Sequence, residues 1–175
     1  MPFTPLHMGP GLLIKSALRG SFSLMVFGWA QVVMDIQPLV VMLTGKGELH
    51  GITHTWLGAT VLALVAAPSG KYLGSFGLRL IRRPEFLPIG WVTAFVSAFI
   101  GTWSHVLLDA IMHADLIPGW PMGEGNALRG WISMEALHVF CLASAALGTA
   151  AWLAVDTWRG RRRSGPSCRP DSSRG

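Results

Sequence analysis

Charge is what this sequence has least of. Asp, Glu, Lys and Arg make up 13% of its 175 residues, where a soluble domain carries roughly 25%. Hydrophobic residues make up 51% and the mean hydropathy is +0.46. Those values exclude an ordinary water-soluble globule, and equally a disordered chain, which needs low hydrophobicity and high charge. Cysteine is nearly absent: Cys141 lies in an apolar run and Cys168 in a polar C-terminal segment, so no disulfide framework is implied. No internal repeat is present, and the N-terminus lacks the basic region, short apolar run and cleavage site that mark a removable signal peptide. What the chain does have is 8 Trp and 21 Gly, a combination suited to an integral membrane protein. Its net charge of +5 is unevenly placed, because six Arg and two Asp in residues 156–175 supply +4 of it. A charge of that origin argues for a solvated cytoplasmic tail and against a nucleic-acid-binding surface.

Four long apolar stretches run from Phe22 to Thr44, Gly51 to Ala67, Ile89 to Met112 and Ser133 to Val155. A helix needs about 20 residues to cross the hydrocarbon core. The second stretch is the shortest and stops at Pro68. The expected fold class is therefore all-α: an integral membrane helical bundle of about four transmembrane helices plus a short N-terminal helix. Residues 1–157 form the membrane-embedded domain and residues 158–175 a basic, disordered cytoplasmic tail. The short helix, around Leu12 to Leu18, carries Lys15 and is followed by Arg19; it is expected to lie at the interface.

Lys/Arg asymmetry orients the spans. Lys15 and Arg19 precede the first span; Lys71, Arg79, Arg82 and Arg83 sit between Pro68 and Pro88; the tail holds six Arg. These regions belong on the cytoplasmic side of an inner membrane, with both termini cytoplasmic. The loops 45–50 and 113–132 belong outside.

Ionisable groups in hydrocarbon cost about 2.5–3.5 kcal/mol for an Asp at a helix centre, so each one present is a functional candidate. Here they are Asp35, His54, His105, Asp109 and His138, with His113 and Asp115 just after the third span. Alternating helix directions bring all of them, and Glu135, to the outer half of the bundle. His105, Asp109 and His113 fall at i, i+4 and i+8, and each step of four turns a helix by about 40°, so they share a face. Gln31 and Asp35 share a face in the same way, as do His50 and His54. Imidazoles and carboxylates are the ligands of Zn²⁺ and neighbouring first-row metals, and coordination would neutralise an acid at such depth. Asp115 or Glu135 is the candidate general base, and Gln31, Thr53 and Ser104 are placed to orient the ligands.

On these residues the sequence resembles the YdjM-type inner-membrane proteins, a group assigned to metal-dependent hydrolases and distantly similar to zinc-dependent phospholipase C. The matching segments are Thr4-Pro-Leu-His7, Asp35-Ile36, His50-Gly-Ile-Thr-His54-Thr55, Ser104-His105-Val-Leu-Leu-Asp109 and His113-Ala-Asp115-Leu-Ile-Pro118-Gly-Trp-Pro121. The family pattern usually carries a basic residue after its first His, where this chain has Gly51. The resemblance implies a helical metal site with Asp35, His54, His105 and Asp109 as core ligands. It adds His7 as a further ligand and Asp109 as a bridge between two ions. His7 joins only if the segment before Phe22 folds back into the bundle, since the topology otherwise keeps it on the opposite side.

The expected function is a membrane-bound metal-dependent hydrolase of phosphoester or lipid-linked substrates. It would use Zn²⁺ or another divalent transition metal, one ion or more, near the outer leaflet. Its expected partners are the lipid bilayer and a lipid or lipid-linked substrate, with no nucleic acid. The same histidines would serve a haem protein through His54, His105 and His138, and acids with histidines would also serve an ion or metal transporter.

Overall fold

The computed structural model describes residues 5–163, and among them the protein is all-helical. A 3₁₀ turn at Pro5–His7 leads into α1 (Met8–Leu18). Then come α2 (Leu24–Thr44), α3 (Trp56–Leu80), α4 (Trp91–Met112) and α5 (Met134–Arg163). Helices α2 to α5 are each long and apolar enough to span a membrane. Their outward faces carry large apolar side chains such as Leu64, Val92, Val139 and Leu147. Such a surface suits lipid and not water.

Local chemistry sets the ends. Ser23 caps α2 by accepting from Val26 N at 3.4 Å, and its own N–H donates to Ser97 Oγ at 2.8 Å, tying α2 to α4. Gly45 closes α2 in the left-handed region at φ 67°, a conformation that favours glycine. Thr55 caps α3, accepting from Gly58 N at 2.9 Å. The second span does not stop at Pro68 as the apolar run suggested: α3 continues to Leu80. Membrane helices tolerate an internal proline when neighbours meet the freed backbone groups. Here Gly70 and Gly74 pack against Trp29, Val26 and Met25 of α2, which holds the continued helix in place. Helix α5 likewise runs through Val155 to Arg163, so the expected boundary at residue 157 falls inside a helix; the rest of the tail, 164–175, lies outside the described residues.

Helices α2, α3 and α4 pack on one another, and α1 pairs with α5. The α1–α5 contact rests on glycine. A Cβ on Gly9 would lie 2.1 Å from Cys141 O, and one on Gly148 would lie 2.4 Å from Leu13 N. Small residues that let backbones touch are the usual basis of helix association in lipid, where burial alone provides no drive. The order of these contacts makes α1 and α5 parallel. Thus α1 is not laid flat at an interface; it is inserted beside α5, with His7 at one end and Lys15 and Arg19 at the other. This is the fold-back that brings His7 to the level of Asp35.

Candidate metal centre

Four parts of the chain deliver five buried ligand-type side chains to one place. The turn before α1 gives His7, α2 gives Asp35, the Ile52–His54 turn gives His54, and α4 gives His105 and Asp109. Their exposures are 5%, 6%, 1%, 1% and 5%. His105 Nε2 lies 3.1 Å from Asp109 Oδ2 and 3.5 Å from Asp35 Oδ1. His54 Nε2 lies 3.6 Å from Asp109 Oδ2, and His7 Nε2 lies 3.6 Å from Asp109 Oδ1.

These separations discriminate between two kinds of site. Three of the four exceed the roughly 3.2 Å limit of a good N–H···O bond. Zn–N and Zn–O bonds of about 2.0–2.1 Å in a tetrahedron set ligand atoms about 3.3 Å apart, which is where these four values cluster. The Nε2 atoms of His7, His54 and His105 are all fully buried and none has a hydrogen-bond partner. An unsatisfied buried polar atom costs about 1–3 kcal/mol. Three of them facing two carboxylates form a donor set that could hold a metal ion. Ligand atoms of His7, His105 and Asp109, and of Asp35, His54 and His105, each fall within 4.8 Å of one another.

The outer sides of the rings are committed. His105 Nδ1 meets Gln31 Oε1 at 2.6 Å, and Gln31 Nε2 donates to Gly101 O at 3.0 Å. The amide is thereby fixed and Nδ1 carries the proton, so that a neutral ring turns its Nε2 lone pair inward. Thr53 does the same for His54. Its hydroxyl donates to Gln37 Oε1 and accepts from His54 Nδ1 at 3.0 Å. Gln31 and Thr53 therefore stand where orienting groups were expected. Ser104 does not: its hydroxyl donates to Gly101 O at 3.1 Å within α4.

A second group opens towards the surface. Ligand atoms of His50, Asp109 and His113 also lie within 4.8 Å of one another, and the His50 and His113 rings sit 4.3 Å apart. Asp115, 57% exposed at its side chain, is 2.8 Å from His50 Nδ1. Burial is the largest influence on His113 and lowers its pKa below the ordinary imidazole value, against the pull of Asp109 and Asp115. For Asp115 burial acts to raise the pKa, but the hydrogen bond with His50 and the neighbouring imidazoles outweigh it and hold the carboxyl below its usual range. The loop bearing these groups is pinned by Asn126, whose Nδ2 donates to Ala110 O at 2.8 Å and His113 O at 3.2 Å. Trp56 N donates to Pro118 O at 2.9 Å, joining that loop to the start of α3.

Not every candidate converges. Glu135 is exposed at the start of α5, and His138 is half-buried on α5; neither belongs to any of the three groups. Gln37 and Asn126 were not singled out in the sequence. A polar amide two residues after Asp35 inside an apolar span was the available signal for Gln37; Asn126 offered none. No family model matches this chain, and no curated protein or solved structure compared with it matches.

Proposed function

We propose that the protein is a membrane-bound, metal-dependent hydrolase acting on a phosphoester or lipid-linked substrate. The observation that carries the reading is the set of three unpartnered, buried imidazole nitrogens facing two carboxylates at ligand-to-ligand spacing. The donors fit Zn²⁺ or a neighbouring divalent metal, and two carboxylates balance the charge of one such ion. His7, Asp35, His54, His105 and Asp109 would hold it. A further ion would take His50, His113 and Asp109, with Asp109 between the two. Bound there, the metal supplies an acidified water and polarises a substrate oxygen.

The chain's own residues do the rest. Gln31 and Thr53 hold His105 and His54 in the tautomer that leaves Nε2 free. Asp115, at the exposed mouth and joined to His50, is the carboxylate placed to accept a proton from water arriving there. Glu135 has no such contact. Positive charge at the Lys15/Arg19 end supports a cytoplasmic location for that end and for the C-terminus, hence a site in the outer half of an inner membrane. The described turn before α1 lies at the level of the site, which separates it from the cytoplasmic end.

Two other readings fit less well. The His7 and His54 rings approach His105 edge-on with centroids 5.0 Å and 5.3 Å away, which leaves no slab for a haem. A transport pathway would need polar groups continuing past the site, but Phe22 and Phe27 are fully buried below it, their rings 5.4 Å apart. The test is hydrolysis of a chromogenic phosphodiester in lipid micelles by the metal-loaded protein. Activity lost on chelation and in His105→Ala is expected. Equal turnover by parent and His105→Ala would reject the reading.

A further inference from the structure

At the end of the bundle remote from the histidines, the seam between the α1–α5 pair and the other helices is hollow. The cavity holds about 450 Å³ and is walled by Leu12 of α1, Phe22 before α2, Phe86 and Leu87 of the α3–α4 connection, and Thr149 and Trp152 of α5. That volume lies within the range of ligand sites, about 300–1,000 Å³. Phe22 and Phe27, with Gly11 packed on the Phe27 ring, close it off from the metal centre. It is therefore a separate space.

Its lining includes three charged side chains, Lys15, Arg83 and Glu85. Arg83 and Glu85 pair at 3.1 Å, and among the described residues no carboxylate pairs with Lys15. Lys15 is half-buried, with its ammonium 2.6 Å from both Arg19 O and Phe22 O and 5.2 Å from the Phe86 ring centroid. An ammonium has three donors, and the two carbonyls use two of them. Carbonyls and a ring face solvate a cation but do not neutralise it. Arg19, Arg79 and Arg82 add positive charge around the same end.

We propose that this cavity binds one anionic phospholipid, an acyl chain in the apolar hollow and the phosphate at Lys15. Charge complementarity selects the headgroup, and the apolar walls exclude a free anion as the natural occupant. The site is independent of the metal-hydrolase reading, since the Phe22–Phe27 wall lies between them.

Native mass spectrometry of the full-length protein with phosphatidylglycerol and phosphatidylcholine of identical chains tests this. One tightly held phosphatidylglycerol per protein is expected, preferred several-fold over phosphatidylcholine. Lys15→Gln should bring that preference to parity, and Thr149→Trp, which fills the hollow, should remove the bound lipid while leaving metal content unchanged. Equal retention of both lipids by the parent would overturn the proposal, as would an undiminished preference in Lys15→Gln. Displacement of phosphatidylglycerol by inorganic phosphate alone would overturn it too. The parent comparison stands even where a variant fails to fold.

Discussion

Replacing Gln31 by Leu probes the metal centre without touching a ligand. The side chain is buried, similar in size to Leu, and makes two contacts: Oε1 to His105 Nδ1 at 2.6 Å and Nε2 to Gly101 O at 3.0 Å. Losing the first frees the imidazole to adopt the other tautomer, with Nε2 protonated and unable to ligate. Partners of this kind are worth about 10–100-fold in metal affinity, or about 1.4–2.7 kcal/mol. Stability of the apo protein should fall as well, since each of the two neutral hydrogen bonds lost contributes about 0.5–1.5 kcal/mol. The two effects are of similar size and must be read apart. Titration of apo protein against a chromophoric chelator reads affinity, and thermal unfolding of the same apo protein reads stability. Gln31→Glu, which restores an acceptor at Nδ1, should recover affinity towards the parent value. An affinity unchanged in Gln31→Leu would refute the orienting role, and an equal loss in both variants would attribute the effect to packing.

Further outcomes follow from the same geometry. Gly9→Ala places a Cβ against the Cys141 carbonyl, a backbone atom that cannot yield; it should destabilise the detergent-solubilised protein by about 1–3 kcal/mol in thermal unfolding and weaken metal binding by displacing His7. Asn126→Ala removes both side-chain donors that pin the outer loop; hydrogen exchange across residues 113–130 should accelerate while that of α2 stays unchanged. Chelation should lower the unfolding temperature, because an ion present at 100 times its Kd adds about 2.7 kcal/mol. Acidification should release metal as imidazoles take up protons in its place; full retention of metal down to about pH 3, checked by dialysis and elemental analysis, would contradict imidazole ligation.

Much of the fold was legible because lipid imposes simple demands. Four long apolar runs gave four helices, and alternating direction brought Asp35, His54, His105 and Asp109 to one level, where the structure gathers them. The i, i+4 spacing placed His105 and Asp109 on one face because both ride one rigid helix. Hydropathy misjudged helix length at Pro68, since the groups that support α3 beyond it are glycine contacts with α2 and leave no mark in local sequence. The fold-back of α1 was hidden for the same reason: Gly9, which meets the Cys141 backbone, and Gly148, which meets the backbone of Leu12 and Leu13, are marked by neither periodicity nor charge. His138 shows the converse limit. Its neighbour Leu137 packs with Leu108 and Ile111 of α4, yet level along a helix does not fix which way a side chain faces, and His138 stands outside all three groups.

Elemental analysis of the detergent-purified protein, beside Asp35→Ala, His54→Ala, His105→Ala and Asp109→Ala, tests the central claim most directly. At least one divalent transition metal per chain is expected in the parent, with loss in each variant and the deepest loss in His105→Ala and Asp109→Ala, whose side chains each serve two ligand groups. A metal-free parent that stays metal-free after incubation with Zn²⁺, or stoichiometric metal persisting through all four substitutions, would contradict it.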